Sequence, residues 1–309
     1  MPGQTQKGKA FEYACLISLY NSFPNTNIQK NPSVEKAFSF YEGSATELRN
    51  KMDKAAAAAI RIIKGLEPMF NEGVQLSLQE DSKGIAGDVR DVLISSGSWG
   101  VGVSCKHNHT AVKHSRLSKD IDFGLRWFDK PCSDNYFSQV KPLFNELEQM
   151  KGKKWSEIKD KEGAVYKPLL DAFQTELKWL GFKYKQEIPP LLLSYLLGKY
   201  DFYKVITKDS KKLTQVQAYN IFGTLNKPSK KQKPLIKVAQ LKLPTKIYDI
   251  SYKKINNNTS KNTVALTFDN GWALTFRIHN ADTYVEPSLK FDVQLIGVPE
   301  SLHTQIEPW

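Results

Sequence analysis

Two residues stand out for the chemistry that their types and positions allow. Asp91 heads the apolar run Val92-Leu93-Ile94, and Lys106 closes the next run, Trp99 to Lys106, with the turn Ser95 to Ser98 between them. A carboxylate at the head of one strand and an ammonium at the end of its neighbour suit phosphodiester hydrolysis. The carboxylate can hold a hard divalent ion such as Mg2+, which keeps several waters in its shell. Such an ion polarises a phosphate and makes a bound water nucleophilic near neutral pH. The ammonium positions that water or stabilises the charge that develops on the phosphate. Strand alternation places Ser104 and Lys106 on one face and Val103 and Cys105 on the other. Asp88 competes with Asp91; it is either a second metal ligand or the ion-pair partner of Arg90.

A basic, polar patch follows: His107, Asn108, His109, Lys113, His114 and Arg116, read as the start of a helix. These residue types suit contact with phosphates and bases. Arginine forks onto guanine and asparagine onto adenine, while lysine mostly neutralises phosphate. The letters His107-Asn108-His109 do not make an HNH enzyme, whose residues are dispersed over a ββα unit. Cys105, His107, His109 and His114 do not match structural zinc spacing. The bland alternative for each residue is a solvated helix surface.

Several elements must position this stretch. Phe11, Cys15 and Leu19 lie four apart and predict an amphipathic helix over 7–20. Ser44 and Glu47 read as a capping box for a helix striped by Leu48, Met52, Ala55, Ala59 and Ile62, with Gly65 as its stop. Val74 to Gln79 alternates as a strand, so a helix and a three-strand meander precede the patch. Trp127, Phe128 and Tyr136 read as core. Helical patterns cover 134–150 and 166–180, with Gly181 as a stop, and a short helix is expected within 191–203. Beyond about residue 205 a strand is expected at Leu235 to Leu243. A hairpin is expected at Val264 to Phe268 and Trp272 to Ile278, turned by Asp269-Asn270-Gly271, and a further strand at Leu289 to Ile296. Arg277, His279, Asn280 and Lys290 crowd the connection between the last two; a polar turn is the alternative use of that group.

Composition narrows the class. The 309 residues are 40% hydrophobic, enough for one large domain or two small ones with a real core. The net charge is +12, and the segment Lys204 to Lys254 alone holds 13 lysines, two acids and no arginine. Charge so concentrated favours a polyanionic partner. Three cysteines without a CxxC pair suit a reducing compartment. The first residues lack the apolar core of a signal peptide, and the apolar run Ile188 to Leu197 is too short to span a bilayer. A soluble, cytoplasmic protein without membrane contact is expected.

The segments GDVRDVLI (87–94), SCKHNHTAVKHSRLS (104–118) and FRIHNADTYVEPSLKFDVQLIG (276–297) resemble the HaeIII-type restriction endonucleases of the PD-(D/E)xK nuclease superfamily. The resemblance implies an α/β (α+β) fold: a nuclease core with a mixed sheet flanked by helices, plus a β-rich basic C-terminal region. The expected division is residues 1–204 as core with helical additions and 205–309 as the DNA-binding region, separate from or integrated with the core. It also implies that Glu12, in the segment KGKAFE, points from the first helix into the metal site; the alternative is a glutamate that complements the helix N-terminus. One departure stands out: Ser104 occupies the position two before the lysine where the superfamily has an acid. A neutral hydroxyl is a poor Mg2+ ligand, so Glu12 or Asp88 must complete the site with Asp91.

The function expected is that of a type II restriction endonuclease, a Mg2+-dependent cutter of double-stranded DNA that leaves 5′ phosphates. The resemblance implies the palindrome GGCC and a companion cytosine methyltransferase that forms no stable complex. A palindrome favours a homodimer. Asn108, His109, Lys113, His114, Arg116, Arg277, His279 and Asn280 are the candidate DNA contacts. The alternatives are a structure-specific or repair nuclease of the same superfamily, and a non-catalytic DNA-binding protein.

Overall fold

The structure is a computed structural model and describes residues 3–68, 70, 73–80, 87–229, 231–256, 258–280 and 282–309. In chain order it forms α1 (Gln4–Ser22), β1 (Asn27–Ile28), α2 (Pro32–Glu42), α3 (Thr46–Leu66), β2 (Gln75–Leu78), β3 (Val92–Ser96), β4 (Trp99–His107) and β5 (Lys113–Leu117). Next come α4 (Phe123–Phe128), α5 (Asp134–Gln149), α6 (Lys167–Lys183), α7 (Ile188–Leu197), β6 (Phe202–Lys208) and β7 (Leu213–Tyr219). The chain ends with β8 (Ile247–Ile255), β9 (Asn258–Phe268), β10 (Ala273–Asn280), β11 (Leu289–Gly297) and β12 (Thr304–Pro308).

Two compact units interleave along the chain. The first joins Met1–Thr110, Gly198–Leu241 and Ser301–Trp309. The second joins Ala111–Leu197 and Lys242–Glu300. The division expected between residues 204 and 205 falls inside β6.

The first unit holds a seven-stranded mixed sheet in the order β1-β2-β3-β4-β6-β7-β12. β4 and β6 run parallel, and a parallel pair needs a crossover rather than a tight turn. The chain from His107 to Phe202 is that crossover, and it contains β5 and α4 to α7. β3 and β4 form an antiparallel hairpin with Ser96 opposite Trp99, so Gly97 and Ser98 are its turn, with Gly97 at φ +56°. Phe11, Cys15 and Leu19 of α1, and Met52, Ala55, Ala59 and Ile62 of α3, share one core with Val92, Ile94, Val103, Cys105, Val205 and Val216 of the sheet. Each large aliphatic side chain buried there contributes about 1.5–3 kcal/mol. The small alanines let α3 approach closely enough for Thr214 Oγ1 to donate to Ala55 O at 3.0 Å. The result is the mixed sheet with packed helices expected of the nuclease core.

The second unit holds an antiparallel sheet, β5-β11-β10-β9-β8. One face is aromatic and buried. Trp127 of α4 stacks on Tyr195 of α7 and on Phe276 of β10, at ring distances of 5.1 and 5.8 Å, and Phe173 of α6 meets Phe291 at 4.8 Å. The hairpin at Asp269-Asn270-Gly271 is present, with Asn270 and Gly271 at φ +55° and +80°.

Several expected boundaries are corrected. The patch after Lys106 does not start a helix: Lys113–Leu117 is a strand, with Ser115 and Leu117 turned into the core. Ser44 makes no capping box, because its hydroxyl donates to Phe40 O and Ala45 takes the cap position. The third helix continues past Gly65 to Leu66, which is buried. α6 runs through Gly181, where a β-carbon would lie 3.3 Å from Ile247 Cδ1; close approach, not termination, is what this glycine permits. α7 ends at Leu197, and Phe202 and Tyr203 begin β6. Leu235 to Leu243 forms no strand, because Asn226 and Asn220 rather than a neighbouring strand satisfy its backbone: Val238 N donates to Asn226 Oδ1 and Leu241 N to Asn220 O.

Asn226 belongs to a buried polar knot. Its backbone N–H and the Tyr203 hydroxyl both donate to Glu67 Oε1, at 2.7 and 2.6 Å. Burial pushes the Glu67 carboxyl from 4.5 up to about 7, and the two donors pull it partly back. The folded value lies above the unfolded one, so this stabilisation is complete below about pH 4.5 and is lost as pH rises through about 7. Glu67→Gln keeps the acceptor oxygen and removes the titration. Its unfolding free energy should be flatter between pH 5 and 8 than that of the wild type, which loses on the order of 3 kcal/mol over the same window. Thermal melts across pH check this, and parallel curves for the two proteins would reject it.

Candidate active site

The β3–β4 hairpin brings the acid and the lysine together. Val92 pairs with Val103, and Asp91 N donates to Val103 O at 2.8 Å, which carries the ladder one residue beyond β3. The side chain of Asp91 therefore stands beside Ser104. Three donors converge on Asp91 Oδ2: the Cys105 amide at 2.6 Å, the Ser104 hydroxyl at 3.3 Å and Lys106 Nζ at 3.5 Å. Asp91 and Lys106 keep 21% and 19% of their side-chain surface exposed, so a ligand can reach both. Ser104 is buried and acts on Asp91, orienting the acid.

Glu12 approaches from α1. It is buried, and Lys9, one turn earlier, donates to its Oε2 at 3.0 Å. Burial, reinforced by the nearby charge of Asp91, pushes the Glu12 carboxyl from 4.5 up to about 8, against the opposing pull of Lys9 and Lys106. Each carboxylate has a lysine beside it, Lys9 at Glu12 and Lys106 at Asp91, and at Glu12 burial outweighs their pull. Among the described residues no three His, Cys, Asp or Glu side chains cluster as metal ligands. A pair of carboxylates nevertheless suits Mg2+, which takes one or two from protein and the rest of its shell from water and phosphate. The donor set fits such an ion and does not fit a closed zinc site.

The sequence model of the HaeIII restriction endonuclease family matches residues 8–299, which include the hairpin, Glu12 and the second sheet. The Type II restriction enzyme HaeIII of Haemophilus aegyptius is 46% identical over 315 residues, covering 98% of this chain and 97% of that protein. The chain belongs to the HaeIII restriction endonuclease family. It is thereby an enzyme of the restriction-endonuclease class, the site-specific deoxyribonucleases. No solved structure matches it.

In this member of the family Asp88 is otherwise engaged. Its two oxygens accept from Arg90 Nε and Nη2 at 2.8 and 2.7 Å, and Arg90 lies over the Tyr200 ring at 3.9 Å. Gly102 leaves the space that Arg90 fills; a β-carbon there would collide with it. Of the two uses considered for Asp88, the structure has the ion pair.

Lys204 is a residue that the sequence did not single out. It faces Ser104 across the parallel β4–β6 pair, is buried, and donates to Thr110 O at 2.8 Å. Burial, with Lys106 nearby, holds its ammonium down at about 7. It was one lysine among the 13 of its segment. The distinguishing signal was local: it stands inside the apolar run Phe202 to Ile206.

The basic patch divides. His107 and Asn108 clip the end of β4 to the turn after β6: His107 Nε2 lies 3.0 Å from Asp209 Oδ2, Asn108 Nδ2 donates to the same oxygen at 3.0 Å, and Asp209 N donates to Asn108 Oδ1 at 2.9 Å. His109 stands in the same unit. Lys113 turns toward Tyr195, donating to its carbonyl at 2.9 Å with Nζ 3.7 Å above its ring, and desolvation holds its ammonium down at about 8. Asn280 organises a turn, accepting from Tyr166 Oη at 3.0 Å and donating to Asp282 O at 2.6 Å. His114 and Arg116 on β5 and Arg277 and His279 on β10 flank β11, where their cross-strand partners are Asp292 and Lys290. These four lie on the face of the sheet opposite the aromatic core.

Asn108 sits at φ +60°, so glycine can replace it without backbone strain. Asn108→Gly should cost about 1–2 kcal/mol of stability through the lost Asp209 bonds and leave DNA cleavage intact. Urea unfolding and a plasmid digest check this pair of outcomes; unchanged stability with lost cleavage would return Asn108 to the DNA contacts.

Proposed function

We propose that this enzyme is a type II restriction endonuclease that cuts double-stranded DNA at GGCC with Mg2+ and leaves 5′ phosphates. The observation that carries the proposal is the convergence of Cys105 N, Ser104 and Lys106 on Asp91 beside the buried Glu12, in a chain of the HaeIII family. Asp91 and Glu12 hold the metal. When bound, the ion supplies Lewis acidity toward the phosphate and an activated water. Asp91 is fixed by its three donors, so its carboxylate is preset and pays little reorganisation on reaction. Lys106 orients the attacking water and stabilises the charge that develops on the phosphate. Ser104 stands where an acid is expected, and Glu12 supplies the second carboxylate from α1.

The remaining assignments belong to the same proposal. His109, His114, Arg116, Arg277 and His279 contact DNA, and the basic, β-rich residues 205–309 help to grip it. A palindromic site is read by a homodimer, one patch on each half-site. A cytosine methyltransferase of the same specificity protects host DNA in the cytoplasm. No described helix is long and apolar enough to cross a membrane.

A plasmid digest with Mg2+ tests the proposal. The wild type should give the discrete fragments of GGCC cleavage, and methylation of that site should block them. Asp91→Asn should abolish cutting, and Lys106→Ala should slow it by about 10²-fold or more, while both still bind the duplex. Asp88→Asn should retain cutting. A smear of fragments would indicate a nuclease without base readout. No cleavage by the wild type across metals and salt would leave a DNA-binding protein.

A further inference from the structure

Asp292 is an acid in the middle of β11, in a chain whose excess charge is positive. It pairs across the ladder with His114 of β5 on one side and Arg277 of β10 on the other. Its side chain is 10% exposed, whereas those of Arg277 and His114 are 55% and 54% exposed. Arg277 Nη2 donates to Asp292 Oδ2 at 3.1 Å, Gln294 Nε2 donates to the same oxygen at 3.1 Å, and His114 Nδ1 lies 4.0 Å from Oδ1. One recessed carboxylate thus holds an outward arginine on one flanking strand and stands close to an outward histidine on the other. The next cross-strand row, Arg116–Lys290–His279, carries no acid.

A purely electrostatic grip on phosphate needs no acid, and Asp292 weakens such a grip. What it supplies is geometry. An arginine side chain is long and loses much rotamer freedom when fixed. An acid that fixes it before binding removes that loss from the encounter. Arg277 is held through one nitrogen, and its exposure leaves the rest of the fork open to a partner. A guanidinium in that state matches the O6 and N7 acceptors of guanine. Adjacent strands are spaced by about 4.8 Å, so the side chains of β5, β11 and β10 at this edge of the sheet stand within about 10 Å of one another, a spacing comparable with that of neighbouring base edges in the major groove. Sheets and ribbons do enter DNA grooves in this way.

We propose that Asp292 is a specificity-determining positioning residue, which presets Arg277 and His114 on the polar face of the second sheet to read base edges of duplex DNA. The inference rests on the proposed DNA-cutting function and adds a named reading surface to it.

The test measures equilibrium binding of the full-length protein, with Ca2+ in place of Mg2+, to a duplex containing GGCC and to duplexes altered at one base. Single-turnover cleavage and thermal unfolding accompany it. Asp292→Asn should lower the preference for the GGCC duplex by about tenfold or more, chiefly by weakening the specific complex, with non-specific binding equal or tighter because a negative charge is gone. Single-turnover cleavage of the GGCC duplex below saturation should fall in step with that loss of binding. Arg277→Lys, which keeps the charge and loses the fork, should lose the same preference at an unchanged salt dependence, and the two substitutions together should cost less than the sum of each. If Asp292→Asn is too unstable to fold, Arg277→Lys alone carries the test.

An unchanged preference in folded Asp292→Asn or Arg277→Lys would overturn the inference. An equal loss on all duplexes would also overturn it, since that is the signature of general structural damage. A wild type that prefers no duplex would instead sink the restriction-enzyme proposal itself. The two failures are therefore distinguishable.

Discussion

Like charges in a poorly solvated space must be separated, neutralised or bridged, and the first unit is arranged around that constraint. Asp91 and Glu12 come from elements far apart in sequence, a strand mouth and a helix, and the fold brings their charges close enough to disturb one another. Lys9 and Lys106 offset part of the repulsion. The remainder is expressed as a glutamate held neutral up to about pH 8 by burial and by Asp91. In the function we propose, this acid pair would take a cation, and Lys106 at its border would face the phosphate that arrives with it.

The sheet explains why these groups meet. β4 turns Val103 and Cys105 into the core shared with α1 and α3, and alternation puts Ser104 and Lys106 on its other face. The parallel neighbour β6 extends the polar face with Lys204. Because β4 and β6 are parallel, the chain must leave the sheet and return, and that excursion is where β5 and the helices of the second unit arise. The topology that creates the proposed catalytic edge therefore also supplies β5, the strand on which His114 and Arg116 stand.

The legible part of the sequence was the part where local chemistry and period agreed. The β3–β4 hairpin had an acid, an apolar run, a turn and a lysine late in the next run, and all four are present, with the turn narrowed from Ser95–Ser98 to Gly97-Ser98 because Ser95 and Ser96 extend β3 and with β4 carried on to His107. β6 was missed because Phe202 to Thr207 are buried on both faces and show no alternation. β5 reads as the start of a helix because only Leu117 in Lys113–Leu117 is apolar; the other inward residue, Ser115, is held by a hydroxyl contact to Tyr195 Oη at 3.0 Å. Asn108 looked like a base reader, yet its side chain closes a turn through Asp209, a use that depends on a residue 101 positions away. Asp292 drew no notice because a lone acid in a strand reads as solvent-facing until its cross-strand partners are known.

Ser104 shows how a departure from a family pattern can be absorbed. A second acid at that position would stand beside Asp91 on the same strand pair and add to the repulsion already borne there. With serine, the hydroxyl becomes a donor to Asp91 Oδ2, so the first acid is oriented instead of opposed. The second carboxylate then comes from α1, whose Phe11, Cys15 and Leu19 are fully buried against the sheet. Glu12 is thus carried on an element that cannot shift without opening the core. In the proposed site, the ligand absent from the strand would be replaced by one on rigid packing, and the hairpin would keep an acid and a lysine in the relation on which hydrolysis depends.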